Sequence, residues 1–472
     1  MAITITAITC TITIIRTNIK AITIMNRFSF ASALSIALFA ATAAVASPEV
    51  PGAPQSGPIA LIGGTVHPVS GPAIEGGVVL FDGGKLVAVG RDIQIPEKAQ
   101  RVDVTGKHVY PGLIDANSQV GLVEVSSVRG SVDTSETGLV NPNVKAEVAV
   151  NPDSELIPVA RAGGVLTVLT VPSGGLITGQ SACMLLDGWS WEDMCLKSGV
   201  GLHITWPRMQ PVAAWWVEEN AGQQTEQRDR ALKTIRTAID DAKAYAKARQ
   251  AHADGKGPQP QYDTRWEAML PVLAGEMPVF IEAEDIQQIQ AAIAFCQAEG
   301  LKPVIVGGYD APSCAALLKK HDVPVIVGGV FRMAVRRNEA YDAGYSLPAR
   351  LKEAGLRYCI AGELGGASSG GPSNVRNLPF HAGVAAAYGL PADEALKAIT
   401  LYPAQILGVA DRLGSLEAGK DATLIITTGD PLETPTQITA AYIQGRPVDL
   451  NNRHKRLWEK YKEKYRRQGI EQ

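Results

Sequence analysis

The chain of 472 residues is short of several things, and each shortage removes a class of protein. Six cysteines are too few and too scattered for a disulfide scaffold. Lys plus Arg is 44 and Asp plus Glu is 47, a formal charge of −3, which leaves no basic footprint for nucleic acid. Aromatic residues make up only 6%. Histidine is limited to seven positions: His67, His108, His203, His252, His321, His381 and His454. Glycine is the exception, at 47 residues, above the usual ~7% and suited to tight turns. With 46% hydrophobic and 19% charged residues, the rest describes a globular chain with room for two domains.

The first 24 residues are a low-complexity Ile/Thr run without an acidic residue. Met25 then opens a segment with Arg27, an Ala/Leu-rich apolar stretch and Ala44-Val45-Ala46 before Ser47. That layout predicts a secretory signal peptide over 25–46, with 1–46 absent from the mature protein. The protein is therefore expected to be exported, periplasmic or extracellular, with no membrane span after signal removal. A membrane anchor is the alternative, but the run ends in small residues and lacks a cationic stop. Five cysteines remain: Cys183, Cys195, Cys296, Cys314 and Cys359. Cys183 and Cys195 could pair across a hairpin; buried thiols are the favoured reading.

Residues 56–111 are β-rich with Gly-Gly and Asp-Gly-Gly turns, and the same texture returns over 412–450. Both chain ends are thus expected to build one small composite β-sandwich domain. Between them, 112–411 alternates strand and helix. Strands are predicted at 112–117, 165–171, 181–186, 201–205, 278–283, 303–307, 324–328 and 357–362. Many are Val/Ile runs, apolar on both faces as buried parallel strands are. Helices are predicted at 285–299 and 311–321. Eight strands over about 300 residues predict an α/β fold, a (β/α)8 TIM-like barrel. Residues 224–253 read as a polar helical insertion that either lids the mouth or packs on the barrel's side. Residues 451–472 carry eight Lys/Arg against three acids, with Leu457, Trp458, Tyr461 and Tyr465 at helical spacing. Such a basic helix docks on its own acidic body or touches a membrane or partner.

Several motifs together resemble the amidohydrolase superfamily, close to imidazolonepropionase-like and prolidase-like members. They are VYPGLIDANSQVGL (109–122), MPVFIEAED (277–285), KPVIVGG (302–308), VPVIVGG (323–329) and the long block NLPFHAGVAAAYGLPADEALKAITLYPAQILGVADRLGSLEAGKDATLII (377–426). The resemblance implies a hydrolase of C–N bonds in an amide, cyclic amide or dipeptide. It also implies His-x-His after the first barrel strand, where two imidazoles on one face share a zinc. This sequence has Asn117-Ser118-Gln119 there, and amides are weak zinc ligands beside imidazole. At the family's ligand position on strand five stands Glu282; on strand six, Gly307 or Gly308; at the strand-eight Asp, Glu363.

The ligand set is therefore degenerate, and no bound metal or other cofactor is expected, with a divalent zinc left open. Glu282, Glu363 and His203 are the candidate catalytic groups. Asn117, Gln119, Gln180 and His381 are the candidate substrate-binding groups. Asp115 and Glu284 are further carboxylates near the same strand ends. Without metal to polarise the carbonyl, a carboxylate of raised pKa would act as general acid or base. The competing expectation is a pseudo-enzyme that holds a small ligand or protein partner at the barrel mouth without turnover. A small-molecule ligand is the expected partner in either case, and a homo-oligomer is compatible with both.

Overall fold

The computed structural model describes residues 50–362 and 371–470. The expected signal peptide and Glu363 lie outside the described residues.

Two eight-stranded sheets organise the chain. The first is composite. It takes β1 (Ile59–Val66), β2 (Ile74–Asp82), β3 (Lys85–Gly90), β4 (Gln100–Asp103) and β5 (His108–Pro111) from the beginning. β14 (Leu424–Thr427), β15 (Ile438–Ile443) and β16 (Arg446–Pro447) come from the end. β5 pairs antiparallel with β14, so the two chain ends are joined through the middle of one sheet. Ile59, Leu61, Val79, Phe81, Leu424 and Ile426 form its own small core. These alternate strand residues point to one side, as period-two spacing requires. The strands belong to one sheet, whereas the sequence predicts a sandwich.

The second sheet is a nearly closed barrel of eight strands in sequential order. It contains β6 (Leu113–Ser118), β7 (Val165–Thr170), β8 (Ile177–Leu185), β9 (Cys195–Thr205), β10 (Val279–Ala283), β11 (Pro303–Gly307), β12 (Val325–Gly328) and β13 (Tyr358–Ala361). All residues of β7, β8, β11, β12 and β13 are buried, which accounts for their apolar composition. The first and last strands meet at a seam. Ile114 N–H donates to Ile399 O at 2.8 Å and Ile360 N–H to Ala398 O at 2.9 Å, so one short stretch satisfies both edges. The side chain of Asp115 crosses the same seam to Gly362.

One strand departs from the expected parallel barrel. β8 is antiparallel to both β7 and β9. The connections explain it: residues 171–176 and 186–194 are too short for the crossover of a dozen or more residues that parallel neighbours need. Reversal places the beginning of β8, with Ile177 beside Ile204, at the same end as the finish of β7 and β9.

The predicted insertion is a helix, Ala221–Ala253, whose Ile235, Ala238, Ile239 and Ala242 are buried in the barrel's core cluster. Asn220 and Gln223 cap its start reciprocally. The helix Ile286–Glu299 follows β10 as expected and ends on Gly300 in the left-handed region. The expected 311–321 helix is a short 3₁₀ turn followed by Ala315–Lys320. All five described cysteines are free thiols, four of them buried. No helix among the described residues is long and apolar enough to cross a membrane.

Candidate active site at the barrel mouth

Carboxyl ends of barrel strands are where this architecture builds sites. A cleft of about 120 Å³ lies there. Asn117, Ser118 and Gln119 line it from β6, Pro172 and Ser173 from the turn after β7, and Thr178 from the reversed β8. His203 and Thr205 come from β9, Phe280 and Glu282 from β10, and Gly371, Pro372 and Val375 from beyond β13.

Strand register explains the central group. Phe280 is the cross-strand neighbour of His203, and Glu282 of Thr205, so alternate residues of two adjacent strands present one face. The His203 and Phe280 rings stack with centroids 4.9 Å apart. Burial drives the His203 pKa down to about 3, so its imidazole is neutral in the working range. Among the described residues its Nε2 has no hydrogen-bond partner, and neither has Gln119 Oε1, although both atoms are buried. Buried polar atoms are ordinarily satisfied, so these two give the cleft hydrogen-bonding capacity that a polar ligand can use.

Glu282 and Glu284 leave the same strand end and meet different fates. Glu284 accepts from Tyr309 N–H at 3.1 Å, and Arg332 Nη1 donates to both of its oxygens, at 3.1 and 3.2 Å. Arg332 also lies over the Tyr309 ring, 4.5 Å from its centroid. Glu282 has no such partner among the described residues and keeps an accessible side chain. Loss of water around it raises its pKa, and the Glu284 charge raises it further.

The expected site residues divide accordingly. Asn117, Gln119, His203 and Glu282 are brought together in the cleft. Gln180 is not among them. Because β8 runs backwards, Thr178 takes the mouth position, while the buried Gln180 amide donates to Pro142 O and Ala268 O. His381 sits in the helix Leu378–Ala387, fully buried, accepting from Val330 N–H at 3.2 Å and packed near Phe331. Glu363 falls outside the described residues. Asp115 lies under the cleft floor: Oδ1 accepts from Gly362 N–H at 2.9 Å and Asn117 N–H at 3.2 Å, and Oδ2 has no partner. Complete burial raises its pKa to about 6.

Thr178, Ser173 and Thr205 escape the sequence reading. The two-residue spacing of His203 and Thr205 is a signal that could have found Thr205; Thr178 required knowing the direction of β8.

Among the described residues, those at the mouth do not match the family's metal-ligand set. Two of the positions that would hold imidazoles hold amides, and the strand-six position is occupied by space already filled. A Cβ on Gly307 would fall 2.8 Å from Glu284 Cδ, so no histidine fits there while that carboxyl stays. The Glu284 carboxylate is neutralised by Arg332, and a guanidinium beside the site opposes a second cation. Among the described residues, no group of three or more His, Cys, Asp or Glu could hold a metal ion.

Comparison with known proteins agrees with this architecture. Residues 231–449 match the model of the amidohydrolase family. That span includes Glu282 and Glu284 but begins after Asn117, Gln119 and His203. An amidohydrolase, tasK, of Hapsidospora irregularis is 24% identical over 432 residues, covering 80% of this chain and 41% of that protein. This chain thus spans about two fifths of that relative's length. An imidazolonepropionase of Rhizobium meliloti is 23% identical over 387 residues, covering 75% of this chain and 85% of that protein. The crystal structure of an amidohydrolase from Thermotoga maritima MSB8 superposes with a TM-score of 0.73 at 28% identity, covering 83% of this chain and 99% of that chain.

Proposed function

This chain carries an amidohydrolase-family domain, and from that premise we propose that its barrel mouth hydrolyses a C–N bond of a small amide, cyclic amide or dipeptide without the family's binuclear metal centre. The observation that carries the reading is one cleft in which, among the described residues, Glu282 is an unpaired carboxylate of raised pKa and the Nε2 of neutral His203 is unpartnered. A carboxylate of raised pKa is a stronger base than an ordinary one and can return the proton it takes.

In the reaction, Glu282 takes a proton from water as its oxygen bonds to the substrate's carbonyl carbon. The developing oxyanion is met by neutral donors: the side-chain amides of Asn117 and Gln119, and His203 in the tautomer with hydrogen on Nε2. When the C–N bond breaks, Glu282 returns the proton to the departing nitrogen. Export through the 25–46 signal peptide is part of the same proposal, and a secreted form beginning near Ser47 is its expected product.

The test is a panel of amides, cyclic amides and dipeptides assayed with chelator-treated protein. Turnover that survives chelation and falls about 10²- to 10⁴-fold in Glu282→Gln is expected. Loss of turnover on chelation, restored by zinc, would overturn the metal-independent reading. A second reading is favoured by the amides at the histidine positions: a catalytically silent barrel that binds its ligand. Saturable binding of a panel member with no cleavage, abolished in Gln119→Ala, would establish it.

A further inference from the structure

The C-terminal helix Arg453–Arg467 is attached to the body only at its first turns. Asn452, itself buried, accepts from Lys455 N–H and caps the start. Arg456 grips Glu155 through two contacts of 2.9 and 2.7 Å, and Arg376 reaches His454 at 2.8 Å. None of the fifteen helical residues is buried. The remaining turns nevertheless carry an apolar stripe: Leu457, Trp458 and Tyr461 are 38%, 57% and 48% exposed, and Tyr465 continues the line one turn on.

Charge frames this stripe. The helix has eight Lys/Arg and two Glu. Glu463 is taken by Arg466 and Arg467. Lys462 lies 4.6 Å from the Trp458 ring centroid, and Lys464 lies 5.8 Å from those of Tyr461 and Tyr465. Lysine ammonium groups therefore lie over the aromatic rings, so positive charge stands directly beside the stripe. The chain's acidic residues outnumber its basic ones, so the body offers counter-charge. Yet among the described residues the polar contacts of the helix with the body are confined to the first turn, His454 with Arg376 and Arg456 with Glu155. Its composition is that of an element lying in a membrane interface: strongly two-faced, low in mean hydropathy, aromatic on one side and basic on the other.

We propose that this helix is a peripheral docking element for an anionic lipid bilayer. Leu457, Trp458, Tyr461 and Tyr465 enter the headgroup layer, and the surrounding lysines and arginines meet the lipid charge. The contact is superficial, since the helix neither spans nor needs to unfold from a core.

Sedimentation of the full chain with vesicles tests this, using phosphatidylcholine alone or mixed with phosphatidylglycerol. Binding to the anionic vesicles at least about tenfold tighter than to the neutral ones, weakening as salt rises, is expected. Lys462→Gln and Lys464→Gln should each weaken it about fivefold. Trp458→Ala should weaken it further while leaving the circular dichroism of the protein unchanged. Equal affinity for both vesicles, or no affinity for either, would overturn the proposal. So would a vesicle-free dimer that Trp458→Ala dissociates, because the stripe would then belong to a second copy of the chain.

Discussion

The wall of the barrel and its mouth are made from the same strands and obey opposite rules. In the wall, side chains such as Ile114, Leu166, Leu169 and Ile305 are completely buried and apolar, and the backbone groups are paired along the ladder. Within a few residues of the same strand ends, Asp115 Oδ2, Gln119 Oε1, Thr170 Oγ1 and His203 Nε2 are buried with no partner among the described residues. Leaving a buried polar atom unsatisfied costs about 1–3 kcal/mol, and the wall supplies the stability that tolerates it. The difference separates what folds this protein from what it is for: substitutions in the wall should move stability, and those at the mouth should move chemistry.

The largest effect tests the wall. Leu166→Ala removes a fully buried side chain near the start of β7, where Gly112 packs closely against it. A loss of about 2–5 kcal/mol is expected in denaturant unfolding, with the pH dependence of turnover unchanged. A change in that pH dependence would show that wall and mouth are not separable.

Next comes Asp115, where the two regions meet. Its folded pKa of about 6 lies above its ordinary value, so the folded protein holds a proton that the unfolded chain has released. The associated stability is present in acid and lost as pH rises through about 6. Asp115→Asn keeps an oxygen for Gly362 and Asn117 and removes the charge. Thermal unfolding should show the variant equal to the parent near pH 4 and more stable at pH 8, by up to about 3 kcal/mol. A variant that is less stable at pH 8 would mean that something compensates the charge in the native protein, a bound cation first of all.

The same division decides how much was legible. Seven barrel strands and the Ile286–Glu299 helix follow from the sequence because burial on both faces writes Val and Ile runs, and Asp285 and Gly300 mark the helix ends. β8 carries Thr178, Gln180 and Ser181 in its first half, so only its apolar second half was readable, as 181–186, and its direction was not. Direction was encoded in the six residues of the preceding connection, with Pro172, Gly174 and Gly175. From that one inversion follow both the displacement of Gln180 and the appearance of Thr178. Strand ends place Glu282, His203, Asn117 and Gln119 at the mouth. His381 does not follow, because its place depends on the packing of a helix against Phe331 rather than on a strand. Nor does the Arg332–Glu284 pair, whose partners are 48 residues apart.

The smallest effect uses that pair to sharpen the comparison inside the mouth. Glu284 and Arg332 are both partly exposed, so their ion pair is worth no more than about 1 kcal/mol, and Glu284→Gln should hardly change the unfolding midpoint. Its consequence should appear at Glu282. Burial is the main cause of the raised Glu282 pKa, and the Glu284 charge the second. Removing that charge lets Glu282 ionise at lower pH, so the acid limb of kcat/KM should move to lower pH. It should stop short of an ordinary glutamate, because desolvation remains. The released Arg332 acts in the same direction. An acid limb that stays fixed or moves upward would assign it to another group and remove Glu282 from the role of base.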